Sequence, residues 1–460
     1  MITKWVVIIL CGVGIGLASA VTENYVSLLL FLILCILFVL FIRNPELPLA
    51  IHFGSTIVYF YILYKLGFEK TESFQTGIFY LFLNISYLLG EILWFVRKNK
   101  KIRFSSVDLL FILFLFWFYL SYFMFSYPWS FWGNRKALYA MPFIIAPYFA
   151  VQFLLSEEKI KKFFNYVIFI PAVMTIPFLY EILVDTSMSE SITRSIRFSP
   201  YNFESGAANP ILTGITFAIP LLILLIRLGE IRKTDIVELS SYSLVFIPMC
   251  YLLVRSGARG PLISFLIAIV FYIFVLTGTR LNVKVYAITL ITLIIVGVYQ
   301  FIPKETILFY SRAFNPADNI ASVSIYGRIS MWKESIDKFK ESPILGIGTG
   351  NFMGGSFFPH NIILEIASEL GIIGLIMFLV MCYLTVKKAF LFIRIEKDQM
   401  SKTFMKTSLV LFVFTFTEAM FSGHIANQTE LFMSMGLIMS LVKLREGRTP
   451  IMTDQSKEKI

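Results

Sequence analysis

The chain has 460 residues, of which 57% are hydrophobic and only 15% are charged. Soluble globular domains are typically about 45–50% apolar and about 25% charged, so this composition, with a mean hydropathy of +0.78, excludes an ordinary soluble protein. The net charge of +11 forms no basic stripe interleaved with aromatic residues, which argues against nucleic-acid binding.

Fourteen apolar segments approach the ~20 residues that a membrane-spanning helix needs. They lie at about 5–21, 26–42, 47–67, 75–96, 108–126, 137–155, 163–184, 210–227, 240–254, 261–279, 284–302, 362–386, 403–421 and 428–442. Two are imperfect, because 163–184 contains prolines and 240–254 is short and serine-rich. The sequence therefore predicts an all-α, polytopic membrane helix bundle of about 12–14 transmembrane helices. We expect one domain over 1–444 and a polar cytoplasmic tail over 445–460.

Residues 1–20 imitate a secretory signal with a cleavage site, because Lys4 precedes an apolar run that ends in Ala18-Ser19-Ala20. Another apolar run follows almost at once, so retention as the first span is the favoured interpretation. The four cysteines lie inside apolar runs without CxxC spacing, and neither a metal cluster nor a disulfide framework is expected.

The distribution of Lys and Arg orients the bundle, since cytoplasmic loops retain these residues. With the N-terminus inside, the densest basic clusters, 97–103 and 387–406, both fall on the cytoplasmic side. The C-terminus is then cytoplasmic as well. Residues 303–361 become one large extracytoplasmic loop, which is long enough to be functional.

This loop carries a predicted amphipathic helix. Its apolar residues, Ile329, Trp332, Ile336 and Phe339, recur at helical spacing. Arg328 lies one turn before Trp332. We expect the helix to lie on the membrane surface or against the bundle.

Arginines are unusually frequent on the outer side, where positive charge is normally scarce: they are Arg194, Arg197, Arg255, Arg259, Arg312 and Arg328. In the segment from Arg255 to Pro261, two arginines and two glycines precede a helix whose N-terminus faces outward. Such an end binds anions, and arginine suits phosphate oxygens. The alternative is that these side chains only anchor the protein at the interface.

Histidine and glycine mark the segment before the next span. The run Gly346-Ile347-Gly348-Thr349-Gly350 lacks the context of a nucleotide-binding loop, and we interpret it as a flexible turn. Asn361 is a predicted N-cap, with Glu365 and Glu369 one turn apart beyond it. His360 is a candidate proton acceptor at the outer end of this helix, the alternative being a structural cap.

Three stretches resemble the O-antigen ligase and polymerase superfamily of bacterial envelope proteins. They are RSGARGPLISF at 255–265, YGRISMWKESIDKFKESPILGIGTGNF at 326–352 and PHNIILEIASELGIIGLIMFL at 359–379. Together they cover about 60 residues in the family's order. The resemblance implies the architecture of the C-type membrane glycosyltransferases, in a multi-pass protein of the bacterial cytoplasmic (inner) membrane with an extracytoplasmic active face.

The resemblance also implies a metal-independent glycosyltransferase with no cofactor. Its donor would be an oligosaccharide on an undecaprenyl-diphosphate carrier in the outer leaflet, and its partners an acceptor glycan, the lipid bilayer and other polysaccharide-export proteins. The family's catalytic histidine maps onto His360. Its diphosphate-binding arginines map onto Arg259, with Arg255 sharing the role, and Arg328. Second-rank site residues on the outer face are Arg312, Glu365 and His424.

Two activities compete within the superfamily. A polymerase joins one lipid-linked oligosaccharide to another, whereas a ligase transfers the finished chain to lipid A core or to protein. About fourteen spans exceed the roughly twelve associated with ligases, which favours a surface-polysaccharide polymerase. A transporter or flippase of the same lipid-linked sugars is a further alternative, but related halves and charges midway through spans, which are typical of transporters, are not evident.

The orientation is testable by labelling single cysteines in a Cys-free variant with a membrane-impermeant thiol reagent. Lys100→Cys should be protected in intact cells, because the basic cluster around it is cytoplasmic. Ser342→Cys should be labelled, because it lies in the outer loop. Labelling at position 100 but not at 342 would invert the topology.

Overall fold

The computed structural model describes residues 36–54, 73–97, 104–127, 131–154, 156–184, 210–230, 236–277, 319–352 and 358–447. Every regular element in these ranges is helical. The predicted class is confirmed: the protein is an all-α, polytopic membrane helix bundle. Of the predicted spans, 5–21 and 284–302 lie outside the described residues, as do most of 26–42 and 47–67.

The described helices are, in chain order, α1 (Glu46–His52), α2 (Ser73–Arg97), α3 (Ser106–Phe125), α4 (Phe131–Ala140), α5 (Ala146–Gln152), α6 (Glu157–Val184), α7 (Pro210–Glu230), α8 (Ile236–Arg255), α9 (Arg259–Phe271), α10 (Asn319–Glu341), α11 (Ile362–Ile395), α12 (Gln399–Ala419) and α13 (Thr429–Glu446). One π-helical turn, Met141–Ile145, joins α4 to α5, and another, Tyr272–Leu276, extends α9. Each predicted span from 75–96 to 261–279, and from 362–386 to 428–442, coincides with a helix.

Five helices in the described ranges are long and apolar enough to cross a membrane. They are Ser106–Phe125, Glu157–Tyr180, Ile211–Gly229, Arg259–Leu276 and Ile362–Ile395. The prolines of the 163–184 segment do not break it, since α6 runs from Glu157 to Val184 with Pro171 and Pro177 inside. The outward side chains of this bundle are apolar, as lipid contact requires: Phe116, Phe169 and Ile176 are each more than 60% exposed.

The centre of the bundle consists of α11, α12 and α13. Helix α12 packs against α9 and α13, while α13 also packs on α5 and α11 also packs on α3. Helix α10, from the predicted extracytoplasmic loop, lies against α11. The elements that carry the predicted site residues are thus held together. Helix α11 belongs to the central group, α9 packs on α12, and α10 packs on α11.

Helix α11 is broken near its N-terminal end. Gly371 has φ 65° and ψ −167°, which interrupts the helix between 362–370 and 372–395. The second part alone extends about 36 Å at the helical rise of ~1.5 Å per residue, enough to cross a bilayer core of about 30 Å. The first part is therefore a short half-helix that the spanning part does not require.

The segment before the half-helix bonds to the break. Ile372 donates its N–H to the carbonyl of Pro343 at 2.8 Å, and Ile347 donates to the carbonyl of Ser368 at 2.9 Å. Trp117 on α3 donates its indole N–H to the carbonyl of Leu370 at 2.9 Å. These bonds satisfy backbone groups that the break would otherwise leave unpaired in an apolar environment.

The glycine-rich run belongs to this hydrogen-bonded segment and is not the flexible turn that its composition predicts. Gly346, Gly348 and Gly350 all have positive φ. A Cβ on Gly346 would lie 2.2 Å from the carbonyl oxygen of Glu369. Gly346 therefore allows the chain to run directly along the broken helix, where no side chain would fit. A Cβ on Gly348 would instead lie 2.7 Å from the carbonyl oxygen of Phe125 on α3.

Gly371→Ala should destabilise the protein strongly. The left-handed conformation alone costs an L-residue about 1–2 kcal/mol, and the new Cβ would lie 2.3 Å from the carbonyl oxygen of Ile344. Gly327→Ala in α10 is a matched control, because no atom lies within 4 Å of its Cβ position. Thermal unfolding in detergent should show a lower midpoint for Gly371→Ala and an unchanged or higher one for Gly327→Ala. Equal midpoints would contradict the close packing of the chain against Gly371.

Candidate functional site

Helix α10 confirms the predicted helix in the outer loop and shows how it is attached. Trp332 donates its indole N–H to the carbonyl of Pro359 at 2.9 Å. Ser335, one turn later, is 1% exposed, whereas Ile329 and Ile336 are 39% and 44% exposed. The bundle-facing side therefore contains Trp332 and Ser335, and the two isoleucines face outward. Arg328 lies one turn before Trp332 on the bundle-facing side.

The turn after Pro359 places His360 and begins α11. The side chain of Asn361 accepts hydrogen bonds from the N–H groups of Ile363 and Leu364, both at 3.1 Å, so the predicted N-cap is confirmed. His360 has φ 53° and is the only non-glycine residue with positive φ in the described part of the chain. Backbone strain of this kind often accompanies functional sites.

The charge of Arg328 acts on His360. Burial, with the neighbouring Arg328 guanidinium, lowers the pKa of His360 to about 4. The imidazole is therefore neutral at pH 7. Burial also lowers the pKa of Arg328, while the nearby carboxylate of Glu418 raises it. A neutral imidazole thus lies beside a half-buried cation, which pairs a possible proton acceptor with an anion-binding group.

A second histidine belongs to the same cluster. The Phe358 ring lies 4.6 Å from the imidazole of His360 and 5.0 Å from that of His424, between ring centroids. His424 is buried in the connection between α12 and α13. Burial, followed by the charges of Lys136 and Arg135, keeps the pKa of His424 well below its ordinary value. Both His360 and His424 are consequently neutral imidazoles.

The turn from α8 to α9 brings its glycines against a carboxylate. Pro261 lies in the first turn of α9, as predicted. A Cβ on Gly260 would lie 2.9 Å from Oε2 of Glu418, a residue of α12. Ser264 donates its hydroxyl to this oxygen at 3.4 Å, and Ser422 donates to Oε1. The close approach that we interpreted as access for a phosphate at the helix N-terminus is therefore occupied by Glu418.

The arginines of this turn lie at its two ends. Arg255 is the last residue of α8 and is 9% exposed, and Arg259 is the first residue of α9. Arg259 precedes Gly260, against which Glu418 packs, and the carboxylate of Glu418 also acts on Arg328. Glu418 therefore lies between the α8–α9 turn and α10. The sequence shows Glu418 only as a neighbour of His424, without its contacts to α9.

Lys136 on α4 is a further charged residue that sequence patterns did not single out. Its ammonium lies 2.5 Å from Oε1 of Glu365 and 2.6 Å from Oε1 of Glu369. The second oxygen of Glu365 accepts the N–H of Ile425 at 3.0 Å. Two carboxylates one helical turn apart indicate a cation partner, but nothing in the sequence selects Lys136.

The structure thus brings together most of the predicted site residues. Arg328, His360 and His424 share one cluster, and Glu365 faces Lys136 beneath it. Arg312, Arg194 and Arg197 lie outside the described residues. Across the described ranges, no three His, Cys, Asp or Glu side chains lie close enough together to hold a metal ion.

Part of the chain matches a known protein family. No curated protein matches the chain. Residues 244–379 match the model of a protein family described as O-antigen ligase. This region includes Arg255, Arg259, Arg328 and His360, and ends within α11. The chain therefore contains an O-antigen ligase family domain, in agreement with the O-antigen ligase and polymerase superfamily that its motifs resemble.

Proposed function

We propose that this protein is a glycosyltransferase that polymerises surface polysaccharide from oligosaccharides carried on undecaprenyl diphosphate in the outer leaflet. In each cycle, the bond between the donor's anomeric carbon and the diphosphate oxygen breaks. A hydroxyl oxygen of the acceptor glycan forms the new glycosidic bond and loses its proton. The diphosphate leaves with one more negative charge than it had in the ester.

The observation that carries this proposal is the pairing of a neutral His360 with Arg328. An imidazole that is neutral at pH 7 can accept the proton of the attacking hydroxyl. A guanidinium beside it can stabilise the charge that grows on the leaving diphosphate. Both residues are held by one connection, because Trp332 of α10 bonds to the residue that precedes His360.

The diphosphate clamp is assigned to the arginine side chains and not to the N-terminus of α9. Arg328, Arg259 and Arg255 offer planar, two-pronged donors suited to phosphate oxygens. Glu418 lies against Gly260 and influences Arg328. In this proposal, Glu418 balances the cations while the donor is absent, and the diphosphate competes with it for them.

The ligase activity is the second candidate, and the description of the matched family favours it. The two activities differ in the acceptor. Purified protein given one lipid-linked oligosaccharide should produce a ladder of longer lipid-linked chains if it is a polymerase. A product that forms only after lipid A core is added would instead identify a ligase.

Substitutions at the pair separate chemistry from binding. His360→Asn should reduce turnover by about 10²–10⁴-fold, with donor binding retained, because asparagine tolerates the left-handed backbone but accepts no proton at neutral pH. Arg328→Ala should weaken donor binding and abolish transfer. Arg328→Lys should restore part of the activity, because it keeps the charge and loses the fork.

His52→Ala is the control, since His52 lies on α1 and bonds to Tyr87, away from the outer cluster. Rates come from a chain-length assay in detergent, and donor affinity comes from equilibrium binding. Wild-type chain lengths from a well-folded His360→Asn protein would exclude the proton-transfer role. Unchanged donor affinity in Arg328→Ala would exclude the clamp.

The pH dependence gives a separate prediction. A base acts in its unprotonated form, so kcat/KM should decline only as pH falls towards about 4, the pKa of His360 in the free protein. The bound diphosphate offsets the charge of Arg328 and should raise that pKa. The acid limb of kcat, which reports the complex, should therefore lie at higher pH than that of kcat/KM. Coincident limbs, or a kcat/KM limb near the ordinary histidine pKa of about 6.5, would contradict this assignment.

A further inference from the structure

Lys136 is the most deeply buried cation near the site. Its exposed fraction is 1%, and Glu365 and Glu369, its two partners, are 0% and 1% exposed. A lysine this deep in an apolar bundle is costly unless it is paired. The group contains two carboxylates for one ammonium, with distances of 2.5 and 2.6 Å, so all three residues are fixed by charge and by geometry.

The group joins three separate segments. Lys136 lies on α4, and both glutamates lie on the half-helix of α11, which begins two residues after His360. Oε2 of Glu365 accepts the N–H of Ile425 at 3.0 Å, and this contact fixes the connection between α12 and α13. Ile425 follows His424. Each histidine is therefore adjacent in sequence to an element that the group holds.

We propose that Lys136, through Glu365 and Glu369, is a positioning residue for glycosyl transfer. It holds the half-helix of α11 and the 424–425 backbone in one register, so that His360 keeps its place beside Arg328. Lys136 itself touches neither substrate nor reacting atoms. This inference rests on the proposed function and assigns a role to a charged group that the transfer chemistry does not use.

A second buried ion group, away from the site residues, supplies a matched control. Lys159 on α6 lies 2.8 Å from Glu91 and 3.9 Å from Glu46. This group has the same composition, one lysine with two glutamates, and is also buried. It joins α6 to α2 and α1, which carry none of the site residues. Neutralising the Lys159 group shows how the loss of a buried ion group affects folding when no site residue is involved.

The test compares two triple variants. Lys136→Met/Glu365→Gln/Glu369→Gln should still fold, because removing the whole group leaves no unpaired charge in the apolar bundle. Its kcat should fall by about 100-fold, as displacement of catalytic groups by about 1 Å can produce, while KM for the lipid-linked donor changes little. Lys159→Met/Glu91→Gln/Glu46→Gln should keep kcat within about threefold of wild type. A folded Lys136 triple variant with wild-type kcat would overturn the proposal.

If the Lys136 triple variant does not fold, two isosteric single variants test the proposal instead. Glu365→Gln leaves one carbonyl oxygen for two donors, Lys136 and the Ile425 N–H, whereas Glu369→Gln still offers an oxygen to Lys136. Glu365→Gln should therefore reduce kcat at least about tenfold more than Glu369→Gln, because only it releases the 424–425 backbone. Equal losses, or a larger loss in Glu369→Gln, would overturn the role of Lys136 in positioning.

A readout without turnover separates this inference from the proposed function. Ala426 is fully buried, so Ala426→Cys in a Cys-free background should react slowly with a small thiol reagent. Glu365→Gln should accelerate that reaction, since the connection is no longer held, and Glu369→Gln should not. Equal reactivity in both would overturn the inference even if wild type transferred no glycan. Absent wild-type transfer with either acceptor would refute only the proposed function.

Discussion

The break in α11 is the constraint on which the half of the molecule with the candidate site depends. In an apolar environment, every backbone N–H and C=O needs a partner, and a broken helix releases several at once. Here the partners come from the 343–348 segment and from Trp117. This requirement accounts for the glycine at 346, whose lack of Cβ lets the chain approach the break. Because these backbone groups have partners elsewhere, the half-helix 362–370 can be separate from the spanning part 372–395. The residues that precede that half-helix, Pro359 and His360, are placed by the break and by the bond from Trp332.

Buried charges gather at the two ends of the bundle. At the predicted outer end, Lys136 pairs with two glutamates of α11. At the predicted cytoplasmic end, Lys443 of α13 lies 2.8 Å from Asp108, which also caps α3. A transport pathway is expected to place charges midway along its helices, where substrate passes. In the described part of the chain, these ion pairs instead lie near helix termini, as expected for a protein whose chemistry takes place at one face.

Glu418 changes the electrostatic description of the outer face. From the sequence alone, the predicted outer face is a cluster of arginines that is open to a polyanionic ligand. In the structure, a buried carboxylate from α12 lies against the start of α9 and influences Arg328. A helix N-terminus favours a negative group, and a carboxylate meets that preference as a phosphate would. In the proposed function, Glu418 offsets part of the charge of these cations before any donor arrives.

Composition and periodicity determined the fold class, most helix positions and the family resemblance, because each depends on local apolar content or on short ordered motifs. Local rules also identified the cap at Asn361, the helix containing Trp332 and the candidate status of His360. The pairing of Lys136 with Glu365 and Glu369 could not be derived in this way, since 229 residues separate Lys136 from Glu365 and any outer cation would satisfy the same charge pattern. The same holds for the contact of Glu418 with Gly260, and for the glycine run, whose function depends on a helix break about 20 residues downstream. Tertiary structure decided these features because each is a contact between segments that are distant in the chain, chosen by the need to pair charges and backbone groups away from water.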